Sequence, residues 1–97
     1  MADKKGKITA KSLVELIEKQ NFRCALSGVE LTPDTASIDH KIPISRGGLN
    51  DISNLWILEA NINRAKNTMT VEEFIQMCRD VTEFHRSSSL PPCVKVC

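Results

Sequence analysis

The chain predicts one small α+β domain, with two short strands and a helix set between an N-terminal and a C-terminal helix. Three observations carry this. Residues 9–20 place Leu13, Leu16, Ile17 and Gln20 on one stripe at helical spacing, with Glu15, Glu18 and Lys19 outside it. Two short stretches, 36–42 with the β-branched Ile38 and Ile42 and the apolar run 55–58, are separated by a glycine-bearing loop. Thr70 and Glu73 form a capping box ahead of another amphipathic stretch. Ninety-seven residues suffice for one modest core and not for two.

The elements follow in order. Residues 1–8, with Lys4, Lys5 and Lys7, read as a basic flexible arm. Thr9 can cap a helix running to about Gln20, and Asn21-Phe22 ends it. Arg23 to Leu26 reads as a short strand or turn, Ser27-Gly28 as a tight turn, and Thr32-Pro33-Asp34 as a loop. Ala36 to Ile42 is expected to be a strand, because Ile38 and Ile42 are β-branched and Pro43 holds its neighbour extended. Ser45 to Asp51 is a flexible loop on composition. Leu55 to Leu58 is the second strand, and a helix starts near Glu59 and runs through Lys66. From Val71, the residues Val71, Phe74, Ile75, Cys78 and Val81 share one helical face, which is expected to be core. Ser87 onward is serine- and proline-rich, so 9–86 is the expected domain and 87–97 a loose tail.

Composition narrows the class. No apolar run approaches membrane length and Met1 to Lys5 lacks the apolar core of a signal peptide, so no membrane partner and a cytoplasmic location are expected. One Trp and three Phe supply no stacking platform for single strands. The net charge of +1 is unevenly spread. Lys41, Arg46, Arg64 and Lys66 outnumber Asp51 and Glu59 across 40–67, whereas the last helix is acidic. A basic face of this kind suits phosphate. Of the cysteines, Cys24 is followed at the knuckle spacing by Ser27, Cys78 stands alone, and Cys93 and Cys97 are not two residues apart. That spacing argues against a structural zinc site and for ordinary thiols.

The residues that point to chemistry are Asp39 and His40, then Asn54 and Asn63. Neighbours on a strand face opposite ways, so Asp39 and His40 can serve one point only where the strand ends, and Pro43 with Gly47-Gly48 supplies an ending. An imidazole can accept a proton near neutrality. Asn54 stands between loop and strand, where its amide can bind backbone across the loop. Asn63 offers an amide oxygen, a hard ligand suited to Mg²⁺.

At these offsets, with Gly47-Gly48 and Asn54-Leu55 between them, the four residues resemble the HNH endonuclease motif in the form whose last histidine is asparagine. The similarity to small phage-type members spans about residues 20–85. It implies a ββα-metal (His-Me finger) core and metal-dependent hydrolysis of DNA phosphodiester bonds. In that reading His40 is the general base, Asn54 holds the loop and base, and Asp39 and Asn63 bind one divalent cation, Mg²⁺ or Mn²⁺. Lys41, Arg46, Arg64 and Lys66 are then candidates for holding the DNA backbone. The chain departs from the family in lacking paired Cys-x-x-Cys knuckles. Two rival classes are a nucleic-acid-binding module that kept the fold without the chemistry, and a small interaction protein stabilised by zinc on its cysteines.

Overall fold

The structure, a computed structural model, describes residues 7–87. Most of the expected basic arm, the tail beyond Ser87, and Cys93 and Cys97 lie outside the described residues.

Helix α1 (Ala10–Lys19) opens with a reciprocal cap in which serine replaces the usual acid. Thr9 Oγ1 accepts from Ser12 N at 3.0 Å and Ser12 Oγ accepts from Thr9 N at 2.8 Å. After Gln20 the chain turns through two left-handed residues, Asn21 (φ 56°) and Phe22 (φ 58°). Arg23 makes one isolated antiparallel bridge with Glu30, and Ala25 to Ser27 is a turn.

Strand β1 (Ala36–His40) pairs antiparallel with β2 (Leu55–Glu59), with Ala36 opposite Glu59 and His40 opposite Leu55. Gln20 then acts as a short substitute strand. Its Nε2 donates to Ile57 O and its Oε1 accepts from Ile57 N, both at 2.9 Å. One amide side chain thereby bonds both backbone groups of Ile57, which pairs with Ile38 of β1 but turns its N–H and C=O toward Gln20. Helix α2 (Ala60–Lys66) follows β2 without a loop, because Glu59 ends the strand and caps the helix. Its Oε1 accepts from Asn61 N at 2.9 Å and Ile62 N at 3.1 Å. The core is Cys24, Leu31, Ile57 and Leu58, with Leu16, Ile17, Leu26, Trp56 and Ile62 packed against it.

Helix α3 (Val71–Ser87) begins with the expected capping box. Thr70 N donates to Glu73 Oε1 at 3.0 Å, and Glu73 N donates to Thr70 Oγ1 at 3.2 Å. Its apolar face is not core, however. Phe74 is 5% exposed, whereas Ile75 is 38% and Val81 56% exposed, and Cys78 is also exposed. At 1.5 Å per residue a helix of this length spans about 25 Å. The strands have five residues each and α2 has seven, so α3, with 17, is longer than any of the elements that could cover it.

Candidate active site

The site is built on the last residues of β1, the loop to β2, and the face of α2 that rests on β1. Asp39 lies opposite Trp56 in the sheet, so the two side chains share a face. Trp56 Nε1 donates to Asp39 Oδ2 at 2.8 Å. Lys66 Nζ reaches the same oxygen at 3.1 Å, with the two side chains 0% and 8% exposed. The Lys66 ammonium also donates to His40 O at 3.3 Å. One helical turn earlier, Asn63 Nδ2 donates to Ser37 Oγ at 2.6 Å and to Ile38 O at 3.2 Å. Residues three apart share a helix face, so α2 is tied to β1 by two polar links in succession. Lys66 is therefore not a surface phosphate ligand, contrary to the expectation from its charge. It is a buried cation that neutralises Asp39.

His40 closes β1 and is partly exposed. Its Nε2 lies 2.9 Å from Asn50 Oδ1. Asn50 belongs to the loop between the strands, and this loop is pinned although composition reads it as flexible. The buried Asn54 amide accepts from Ile42 N at 3.0 Å and donates to Ile42 O at 3.0 Å and Leu49 O at 2.8 Å. Lys41 N donates to Asn54 O at 2.7 Å. Gly48 passes so close that an added Cβ would sit 1.7 Å from Ile42 O and 2.9 Å from Asn54 Nδ2. Only glycine fits there. Asn54 thus joins both arms of the loop, and its side chain bonds to Ile42 and Leu49 rather than to the imidazole.

The remaining cations differ in availability. Lys41 Nζ stands over the Trp56 ring, 5.6 Å from its centroid. Arg64 is exposed and donates to Asn61 Oδ1 at 2.6 Å. Arg46 is exposed but occupied. It grips Glu73 with both terminal nitrogens, at 2.6 and 3.1 Å, and donates to Thr68 O at 3.2 Å. The Arg46 hydrogen bond, helped by the Thr70 amide, holds the Glu73 carboxyl down at about 2 and raises Arg46.

Asp39 and Asn63 carry the hard oxygen donors that a Mg²⁺-type ion takes. The partners of Asp39 gather on Oδ2 and those of Asn63 on Nδ2, so the Oδ1 atom of each is the one the described contacts do not use. A carboxylate and an amide oxygen are a donor set whose chemistry fits such an ion. Lys66 offsets the carboxylate charge, so the attraction for a further cation is modest. Among the described residues no three His, Cys, Asp or Glu side chains converge, and amide oxygen and water would complete the shell. Cys24 is buried, its Sγ accepting from Ser27 N at 3.4 Å. No helix among the described residues is long and apolar enough to cross a membrane.

Sequence reasoning did not identify Asn50, Trp56 or Ser37 as neighbours of these residues. Their signal is weak, because an asparagine in a loop or a serine in a strand has many uses. Trp56 could have been found, since a strand tryptophan near a buried carboxylate needs an acceptor for its N–H. Comparison with protein-family models and with curated proteins finds no match to this chain.

Proposed function

We propose that this chain is a divalent-cation-dependent endonuclease that hydrolyses DNA phosphodiester bonds, in the manner of the HNH family it resembles. The observation that carries the reading is the Asp39-His40 pair at the end of β1, beside a loop clamped by Asn54 and a helix that presents Asn63 to the same strand. Asp39 and Asn63 would hold the cation. When bound, that cation supplies positive charge against the charge that grows on the phosphate in the transition state. His40 takes the proton from the attacking water, and its partial exposure leaves it open to substrate. Lys41 and Arg64 hold the DNA backbone without selecting sequence. Arg46 joins them when a phosphate displaces the Glu73 carboxylate.

One observation favours a second reading, a DNA-binding module without chemistry. The Lys66 ammonium already sits on Asp39, and a fixed cation there can serve in place of a divalent one for charge balance alone.

Supercoiled plasmid incubated with the protein and Mg²⁺, Mn²⁺ or EDTA separates the two. Nicked or linear product is expected with either metal and not with EDTA. His40→Ala should lower the rate roughly 10²–10⁴-fold while circular dichroism and DNA affinity stay near wild type. Cleavage that survives excess EDTA, or that His40→Ala leaves intact, rejects the nuclease reading. DNA binding with no cleavage in any metal selects the module.

A further inference from the structure

We infer that Asn50 is the positioning residue for His40, fixing the tautomer with the proton on Nε2 and leaving Nδ1 as the basic nitrogen. The consequence for activity rests on the nuclease reading above. The tautomer itself does not.

A neutral imidazole has one N–H and one lone pair, and which nitrogen carries which is decided by the partner that the ring meets. The oxygen of the Asn50 amide faces Nε2 at 2.9 Å. An amide oxygen accepts and cannot donate, so Nε2 must bring the proton. The lone pair is then on Nδ1, the only place from which His40 can take a proton from water.

Asn50 can do this because its backbone is held on both sides. On one side, the Leu49 carbonyl is held by Asn54 Nδ2 at 2.8 Å. On the other, the Asp51 carboxylate accepts from Ser53 N at 2.9 Å and from the Ser53 hydroxyl. The loop between the strands therefore delivers one amide oxygen to one ring nitrogen. This also gives Asn54 a reach beyond its own contacts: it holds the residue next to the one that orients the base. Asn50 itself is exposed, so its side chain can be changed with little risk to the core.

The test reads the tautomer directly, in metal-free protein. The chain has two histidines, and a His85→Gln background leaves His40 as the single imidazole. His85 is exposed in the last turn of α3. Ring ¹⁵N shifts and ring-proton couplings, recorded where the imidazole is neutral, tell a protonated nitrogen from one bearing a lone pair. Wild type should show one tautomer, protonated at Nε2. Asn50→Ala should move both nitrogens toward averaged values, and Asn50→Asp, which keeps the acceptor, should restore the single form. In the plasmid assay Asn50→Ala should lower kcat roughly ten- to a hundredfold with DNA affinity unchanged, and Asn50→Asp should recover most of it.

A wild-type proton on Nδ1, or a spectrum unmoved by Asn50→Ala, overturns the inference. If the tautomer follows Asn50 as expected while wild-type protein cuts no plasmid, the positioning stands and the nuclease reading alone fails. If wild type cuts and Asn50→Ala cuts equally well with an altered tautomer, Nδ1 is not the working base and the inference fails.

Discussion

The stretch from β1 to α2 and the helix α3 contrast in how their side chains find partners. In the first, polar groups meet polar groups at close range: Asp39 with Trp56 and Lys66, Asn54 with both arms of the loop, Asn63 with β1. In the second, an apolar stripe runs most of the helix and only Phe74 of its described side chains is buried. A hydrophobic period therefore states which face could be buried, and says nothing of whether a neighbour exists to bury it. Interlocking polar groups carry more information, because each must be satisfied inside the fold.

The contrast breaks most sharply at Lys66. Removing it leaves Asp39 as a buried carboxylate whose remaining side-chain partner among the described residues is Trp56, and losing one member of such a pair costs about 3–5 kcal/mol. Lys66→Met should therefore lower the urea midpoint strongly, and the double variant Lys66→Met with Asp39→Leu should be less destabilised than the sum of its parts. Additive effects would mean that the two groups do not depend on each other.

Helix α3 supplies the second test, within one element. Phe74→Ala removes a buried ring and should cost roughly 3–5 kcal/mol. Val81→Ala removes exposed methyl groups and should change stability by no more than about 0.5 kcal/mol. Equal losses at both positions would show that the far end of α3 is packed in solution.

Much of this was legible in the chain and some was not, for identifiable reasons. Both capping positions, Thr9 and Thr70, follow from local hydrogen bonding, the first strand from β-branched residues ahead of Pro43, and the second from a short apolar run. Helical spacing puts Gln20 on the inward stripe, but its pairing with Ile57 depends on where β2 runs and has no local signature. Lys66 illustrates the limit for the site. Charge alone assigns it to the surface, and only the packing of α2 on β1 turns it into a partner of Asp39. The expected core face of α3 failed for the complementary reason, since periodicity cannot count the surface available to meet it. The loop from Ser45 to Asp51 reads as flexible from glycine and polar content, yet the glycine is there because Ile42 O and Asn54 leave no room for a Cβ.

The smallest expected effect lies where the two regions touch, at the Arg46–Glu73 pair that ties the loop to the start of α3. Glu73 has an ordinary carboxylate value of 4.5 and is held at about 2 by Arg46. A depressed carboxylate resists protonation in the folded protein, so its stabilisation is present above about 4.5 and is lost as the pH falls toward 2. Both side chains are exposed, so solvent screens the pair and salt weakens it further. Glu73→Gln keeps a side chain able to accept from Thr70 N while removing the charge. Urea midpoints for wild type and Glu73→Gln should differ modestly at pH 7 and converge as the pH falls below about 4.5 toward 2. A difference that persists unchanged at acid pH would mean that the carboxylate charge at Glu73 contributes nothing, and that this joint between loop and helix rests on the neutral bonds alone.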